Sequence, residues 1–136
     1  MELIDTDKEL KVVLKEFPIL GPDSEYAAKA VIAAGKQGKY LNMHKALYQH
    51  EGRVTPEIVD ELAIAQGLNM NQLKNDMEDP KTAEIINRNR ILAQSLAING
   101  TPAFVIDDKL VPGYLPKDEL ASMIKEVRAR GACLLC

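Results

Sequence analysis

Two cysteines, Cys133 and Cys136, are the residues of this 136-residue chain best equipped for covalent chemistry, and they stand at the Cys-x-x-Cys spacing of a redox pair. Their surroundings oppose that role. They follow the C-terminal end of an expected helix, where the macrodipole is negative, and Cys136 carries the carboxylate of the chain as written, so both fields disfavour a thiolate. Arg128 and Arg130 offset this only in part. The pair is kept as a weak catalytic candidate, and an incidental apolar tail is the better reading. A prenylation signal is matched only formally, since a terminal Cys is not a usual last residue and no polybasic run precedes it. Zinc needs four ligands, and only His44 and His50 could join the cysteines. Six residues apart, they face different sides of a helix, so no metal site and no cofactor are expected, and each histidine reads as a core-edge or surface residue. Carboxylates come in runs, Glu57, Asp60 and Glu61, then Asp76, Glu78 and Asp79, which suit solvated helix faces. Met70 and Met77 read as core filling.

The most informative stretch carries no nucleophile. Gly100-Thr101-Pro102-Ala103-Phe104 places a proline directly before a strand and after a glycine that frees the chain. A cis X-Pro bond there would bring backbone groups to a surface, while the plain alternative is a trans proline at a strand's first residue.

The elements that must position this stretch are legible from punctuation. Residues 10–16 are short, β-branched and bounded by Pro18 and Gly21-Pro22, which predicts a strand ending in a rigid turn. An Ala-rich helix follows from Asp23 or Ser24 to Ala34, with Ala27, Ala30, Val31 and Ala34 on one face, and Gly35 and Gly38 punctuate it. A second amphipathic segment spans about 39–49. Thr55-Pro56-Glu57 starts a third helix, stopped by Gly67. Asn69 caps a short one, and Pro80 marks the junction to a longer helix from about Thr82 to Ala97. Then the pattern changes to a hairpin, 103–106 and 109–111 around Asp107-Asp108. A last helix starts near Pro116, with Asp118 and Glu119 in its first turn and Arg128 and Arg130 in its last, and ends at Gly131. The order is strand, helical block, hairpin, helix: an α+β domain with helices in excess.

Composition narrows the function classes. Seventeen Lys and Arg against 20 Asp and Glu give a net charge of -3, which makes a nucleic-acid partner unexpected. Apolar stretches fall far short of the ~20 residues a bilayer span requires, so no membrane partner is expected either. The N-terminus is acidic where a signal peptide is basic, so the chain as written carries no export address and reads as cytoplasmic. No linker or repeat divides it, and a single domain over 1–136 is expected.

Taken together, the run from Lys11 through Phe17-Pro18-Ile19-Leu20-Gly21-Pro22-Asp23-Ser24, the Ala-rich helix, Gly38-Lys39-Tyr40 and His44, Gly100-Thr101-Pro102-Ala103-Phe104-Val105-Ile106 and Leu110-Val111-Pro112-Gly113 resembles the bacterial DsbA-like thiol–disulfide oxidoreductases. The resemblance covers about residues 10–128. It implies a thioredoxin fold whose helical insertion is the block at about 23–97. It further implies a cis bond before Pro102 and a substrate-binding role for Thr101 and Pro102, which would offer backbone groups to extended peptide or protein thiol substrates. Periplasmic localisation belongs to the same implication.

One departure stands out. In the family a strand and a Cys-x-x-Cys at a helix N-terminus precede the part matched here, and residues 1–7 look like the end of that helix. The expectation is therefore an N-terminally truncated thioredoxin-like domain, a disulfide exchanger by family and inactive as this chain. A non-catalytic peptide-binding or oligomerising module is the alternative. The missing strand would lie between 10–16 and 103–107. Either those two strands close on each other or a second copy supplies a segment, and the second, a homo-oligomer, is favoured.

Overall fold

The computed structural model describes residues 2–131. Its order is α1 (Glu2–Thr6), α2 (Pro22–Lys36), α3 (Tyr40–Gln49), α4 (Pro56–Ala65), α5 (Met70–Met77), α6 (Pro80–Ser95), β1 (Ala103–Ile106), β2 (Lys109–Pro112) and α7 (Lys117–Ala129). Seven helices and one two-stranded antiparallel sheet among the described residues make this an α+β chain with helices in excess. They group into two compact units, one of residues 16–92, the other of residues 1–15 with 93–136.

The 16–92 unit holds a closed core. Helix α2 packs against α3, α4 and α5, and its alanines explain why: without bulk beyond Cβ, Ala30, Ala33 and Ala34 let three helices approach one rod. Met43, Val59, Ala63, Leu73 and Met77 fill the space around them, all at 2% exposure or less. Ala28 and Ala33 are buried beside the expected Ala30, Val31 and Ala34, because α2 is covered on more than one side.

Local signals set the helix ends. The Thr55 side chain accepts the Ile58 N–H, and Asn69 accepts the Gln72 N–H at 3.0 Å. Helix α6 starts at Pro80, earlier than the expected Thr82, because the Asp79 carboxylate takes the Lys81 N–H at 2.9 Å and a proline at the first helical position loses no bond. Two helices stop on left-handed glycines, Gly38 and Gly67. In each, a reversed pair of bonds closes the last turn: Lys39 N–H to the Ala34 carbonyl at 2.9 Å and Gly38 N–H to Gly35 at 3.0 Å, then Leu68 N–H to Ala63 at 3.1 Å and Gly67 N–H to Ile64 at 2.8 Å. Helix α6 ends the same way, Ile98 N–H donating to Ala93 at 2.8 Å and Ala97 N–H to Gln94 at 3.1 Å, but the left-handed residue is Ala97, with φ of 54°.

The other unit is thinly filled. Among its described residues only Ala93 is buried. The strand expected at 10–16 is absent: residues 10–19 have no regular structure, and Val12 and Val13 are 43% and 61% exposed. β-propensity makes a strand only where a ladder partner exists, and β2 is the one strand paired with β1 among the described residues. Residues 10–16 and 103–107 therefore do not close on each other.

Candidate functional site: the Thr101–Pro102 loop

The reversed turn at Ala97 points the chain out of α6 into residues 98–102, which feed directly into β1. Thr101 and Pro102 are both exposed, and the bond between them is cis. The Pro102 carbonyl accepts the Gly113 N–H at 2.8 Å, tying the loop to the residue that follows β2.

That bond also sets the parity of the hairpin. β1 pairs with β2 as Ala103 with Pro112, Phe104 with Val111, Val105 with Leu110 and Ile106 with Lys109. Antiparallel pairs alternate between those that exchange both N–H···O bonds and those that exchange none, so Pro102, Phe104 and Ile106 turn their backbone groups toward β2 while Ala103 and Val105 turn theirs away. Pro112 sits opposite Ala103, in a pair that needs no donor, which is why a proline is accepted there. The turn is made by Asp107 and Asp108, with Asp107 in the left-handed region at φ of 58°, a conformation Asp tolerates better than most residues.

Helix α7 lies against β1 and is fastened at several points. Lys109 and Glu126 approach to 3.6 Å, and Arg130 and Asp108 to 4.0 Å. Arg128 grips Asp7 with both terminal nitrogens, at 2.7 and 3.1 Å, and the guanidinium holds the Asp7 carboxyl below its ordinary range. The described residues around the loop contain no cysteine, and Cys133 and Cys136 lie outside the described residues. What the loop and β1 offer is backbone hydrogen-bonding capacity along an edge with no strand beside it among the described residues.

In the other unit the structure gathers polar residues that the sequence did not connect. The Tyr40 hydroxyl donates to Glu16 Oε1 at 2.6 Å, His44 Nδ1 lies 3.1 Å from the same oxygen, and the two rings stack at 6.1 Å. Burial, then the bond to the Glu16 carboxylate, pushes the Tyr40 phenol well above its usual range. Buried Asn89 donates its side-chain amide to the Glu16 carbonyl at 2.8 Å, anchoring the approach to Phe17-Pro18. The i,i+4 spacing of Tyr40 and His44 was the one available signal, since it puts both rings on one helix face. His50, half-buried, sits at the C-cap of α3.

The carboxylate runs divide: Glu57, Glu61 and Glu78 are exposed, as expected of solvated faces, whereas the aspartates Asp60, Asp76 and Asp79 are half-buried and paired. Asp60 receives Lys74 at 2.5 Å and the Tyr26 hydroxyl at 2.8 Å, and Lys74 also reaches the Tyr26 oxygen. Lys36 bridges Asp76 at 2.9 Å and Asp79 at 2.6 Å. Packing α2 against α4 and α5 puts these residues at helix seams, where each meets a cation from another helix. Met77 is buried and Met70 packs against the same core. An open groove of about 640 Å³ runs from the Pro18–Pro22 turn to Arg90, but its cations Lys29 and Arg90 both face Glu25, at 4.0 and 2.8 Å. Nothing in it is poised for chemistry. Among the described residues no group of three His, Cys, Asp or Glu is arranged to hold a metal, and no helix is long and apolar enough to cross a membrane.

Comparison with known proteins gives these observations a family. A family model described as "DSBA-like thioredoxin domain" matches residues 1–125. Among solved structures, the chain is similar to a thioredoxin-like oxidoreductase from Silicibacter pomeroyi, at 41% identity and a TM-score of 0.90, over 96% of this chain and 75% of that one. It is also similar to the thiol-disulfide exchange protein alpha-DsbA2 from Wolbachia pipientis, at 27% identity and a TM-score of 0.85, over 92% of this chain and 69% of that one. Among curated sequences, it is 26% identical over 125 residues to the Na(+)/H(+) antiporter NhaA 1 of Salinispora arenicola, a match that takes in 90% of this chain and 19% of the antiporter. The chain thus spans about a fifth of that relative's length.

Proposed function

The chain belongs to the DSBA-like thioredoxin domain family, whose fold is thioredoxin-like and whose members include thiol–disulfide oxidoreductases, and on that premise we propose that it presents extended peptide or protein thiol substrates to disulfide exchange at the Thr101–Pro102 loop. The observation that carries this reading is the exposed loop leading into a strand whose Ala103 and Val105 backbone groups point away from β2. An extended peptide laid along it gains main-chain hydrogen bonds without demanding a particular sequence, as an exchanger of many substrates requires.

The chemistry is a two-electron exchange. A thiolate attacks one sulfur of a disulfide, a mixed disulfide forms as the old S–S bond breaks, and the departing sulfur leaves as a thiolate with the electron pair. Neither Cys133 nor Cys136 is assigned the attacking role, because both follow the C-terminal end of α7 in the sequence, where the helix dipole disfavours an anion. The proposed compartment is an oxidising one such as the periplasm, where exchange substrates exist.

The test combines binding and turnover. A labelled unstructured peptide should bind the chain and lose affinity in Thr101→Pro, which removes the Thr101 N–H, while disulfide-reductase turnover by the chain alone stays at background. Binding unaffected by Thr101→Pro removes the loop from the reading. Turnover that disappears in Cys133→Ser moves the chemistry to the C-terminal pair.

A further inference from the structure

Of the seven asparagines in the chain, only Asn99 is followed by glycine. The pairing matters because the backbone nitrogen of the next residue can attack an asparagine side chain, and that ring closure is easiest when the next residue has no Cβ to crowd it. Five of the other asparagines stand inside α3, α5 and α6, where helical bonding ties up the backbone that would have to move. Asn69 caps α5, its side-chain oxygen occupied by the Gln72 N–H. Asn99 is under no such restraint. It is exposed, it belongs to no helix or strand, and neither its side chain nor the Gly100 N–H has a partner among the described residues.

We propose that Asn99–Gly100 is a site of spontaneous deamidation, which turns the Asn99 amide into a carboxylate two residues ahead of Thr101 and so ages the presenting loop. Hydroxide removes the Gly100 amide proton, the nitrogen's electron pair forms a bond to Asn99 Cγ, and the side-chain nitrogen leaves as ammonia, taking a proton from water. Water then opens the five-membered succinimide. Breaking the bond from the Gly100 nitrogen to Cγ gives aspartate. Breaking the bond from that nitrogen to the Asn99 main-chain carbonyl carbon gives isoaspartate, whose main chain runs through the side-chain methylene. Water and hydroxide are the only co-reactants.

The loop has little room to absorb the second product. Upstream, the Ile98 N–H is bonded to the Ala93 carbonyl at 2.8 Å, and downstream the Pro102 carbonyl accepts the Gly113 N–H at 2.8 Å. The extra backbone carbon is therefore taken up between residues 99 and 101, which re-aims Thr101. Either product also adds a negative charge to a chain whose net charge is already -3. The site rests on the chemistry of Asn99 and Gly100 alone, while its effect on peptide capture rests on the reading of the loop given above.

The experiment incubates the full chain at mildly alkaline pH and body temperature, with a fresh sample carried through the same digestion. Trypsin releases residues 91–109, in which Asn99 is the only asparagine. Mass spectrometry counts the conversion, and methyl transfer from S-adenosylmethionine by an isoaspartyl methyltransferase marks the isoaspartate. Asn99 is expected to convert about as fast as it does in a free peptide of residues 91–109, while the other six asparagines remain amides. Gly100→Ala should slow the conversion roughly tenfold or more. It is a clean probe, because Gly100 is not left-handed and an added Cβ meets nothing within 4 Å. The aged wild type should bind a labelled unstructured peptide several-fold more weakly than when fresh, and aged Gly100→Ala should bind as its own fresh sample does. An Asn99 that keeps its amide while the free peptide converts, or earlier conversion at another asparagine, overturns the site. Conversion that leaves peptide binding unchanged overturns the ageing of the loop. A fresh wild type that binds no peptide overturns the presenting role and the loss of capture together, and the conversion, read by mass, stands or falls separately.

Discussion

Replacing Ala97 with glycine should stabilise the protein, although it deletes a methyl group from the end of a helix. Three helices of this chain close their last turn with the same reversed pair of hydrogen bonds, and two of them place glycine at the left-handed residue while α6 places Ala97, at φ of 54°. An L-residue with a Cβ pays about 1–2 kcal/mol for that conformation. Glycine relieves the strain but brings a more flexible unfolded chain, a loss of about 0.4–1 kcal/mol. Ala97 is exposed, so its methyl buries nothing that the substitution would forfeit. The net gain is about 0.5–1 kcal/mol. With an unfolding entropy of about 2.1 cal/mol/K per residue over 136 residues, that raises Tm by about 2–4 °C. Differential scanning calorimetry measures it, and Ala83→Gly supplies the control. Ala83 is exposed in the first turns of the same helix, where glycine should cost about 0.5–1 kcal/mol. If both substitutions lower Tm, the end of α6 is not held in the left-handed turn, and the direction in which the chain leaves toward Thr101 has been misread.

Two further outcomes follow from the Glu16 cluster. Asn89→Ala leaves the Glu16 carbonyl without its 2.8 Å donor in a buried setting, so urea unfolding should show a midpoint lowered by the equivalent of about 1–3 kcal/mol with an unchanged slope. Tyr40 has a folded-state pKa raised above its ordinary 10.0, chiefly by burial, so its contribution is fully present below that value and is lost as pH rises beyond it. Urea midpoints should therefore fall between about pH 9 and about pH 11, and Tyr40→Phe should flatten that fall while lowering the midpoint at neutral pH, because the bond to Glu16 is gone.

Where a structural decision is local, the sequence announces it. Thr55 before Pro56, Asn69 before Met70, the glycines at 38 and 67, and the Asp107-Asp108 turn each act through bonds spanning a few residues, and all appear where expected. The sequence predicts α6 running to about Ala97, where alanine, the best helix former, marks no stop; the helix ends at Ser95, in a turn closed by the bond from Ile98 to Ala93. Residues 10–16 carry the composition of a strand but find no ladder. The Glu16 cluster was out of reach because its members come from distant places, Asn89 and Glu16 being 73 residues apart. The same holds for Lys36 with Asp76 and Asp79, which meet only once α2 and α5 have packed. At the site, the residues Thr101 and Pro102 are visible in sequence, but the outward turn of the Ala103 and Val105 backbone groups required the register.

The Asp7–Arg128 clasp joins residues 121 apart in the chain. Bringing two such points together in a flexible polymer costs roughly 4 kcal/mol of closure entropy, growing with the logarithm of the intervening length. Most of that intervening length is the 16–92 unit, contiguous in sequence and built from helices whose backbone bonds span a few residues, so it can form before the ends meet. Once formed, it replaces a long flexible segment with a compact body and shortens the loop that remains to be closed. The clasp is therefore cheapest to close after the helical block has formed, and the Thr101–Pro102 loop belongs to the unit that the clasp completes.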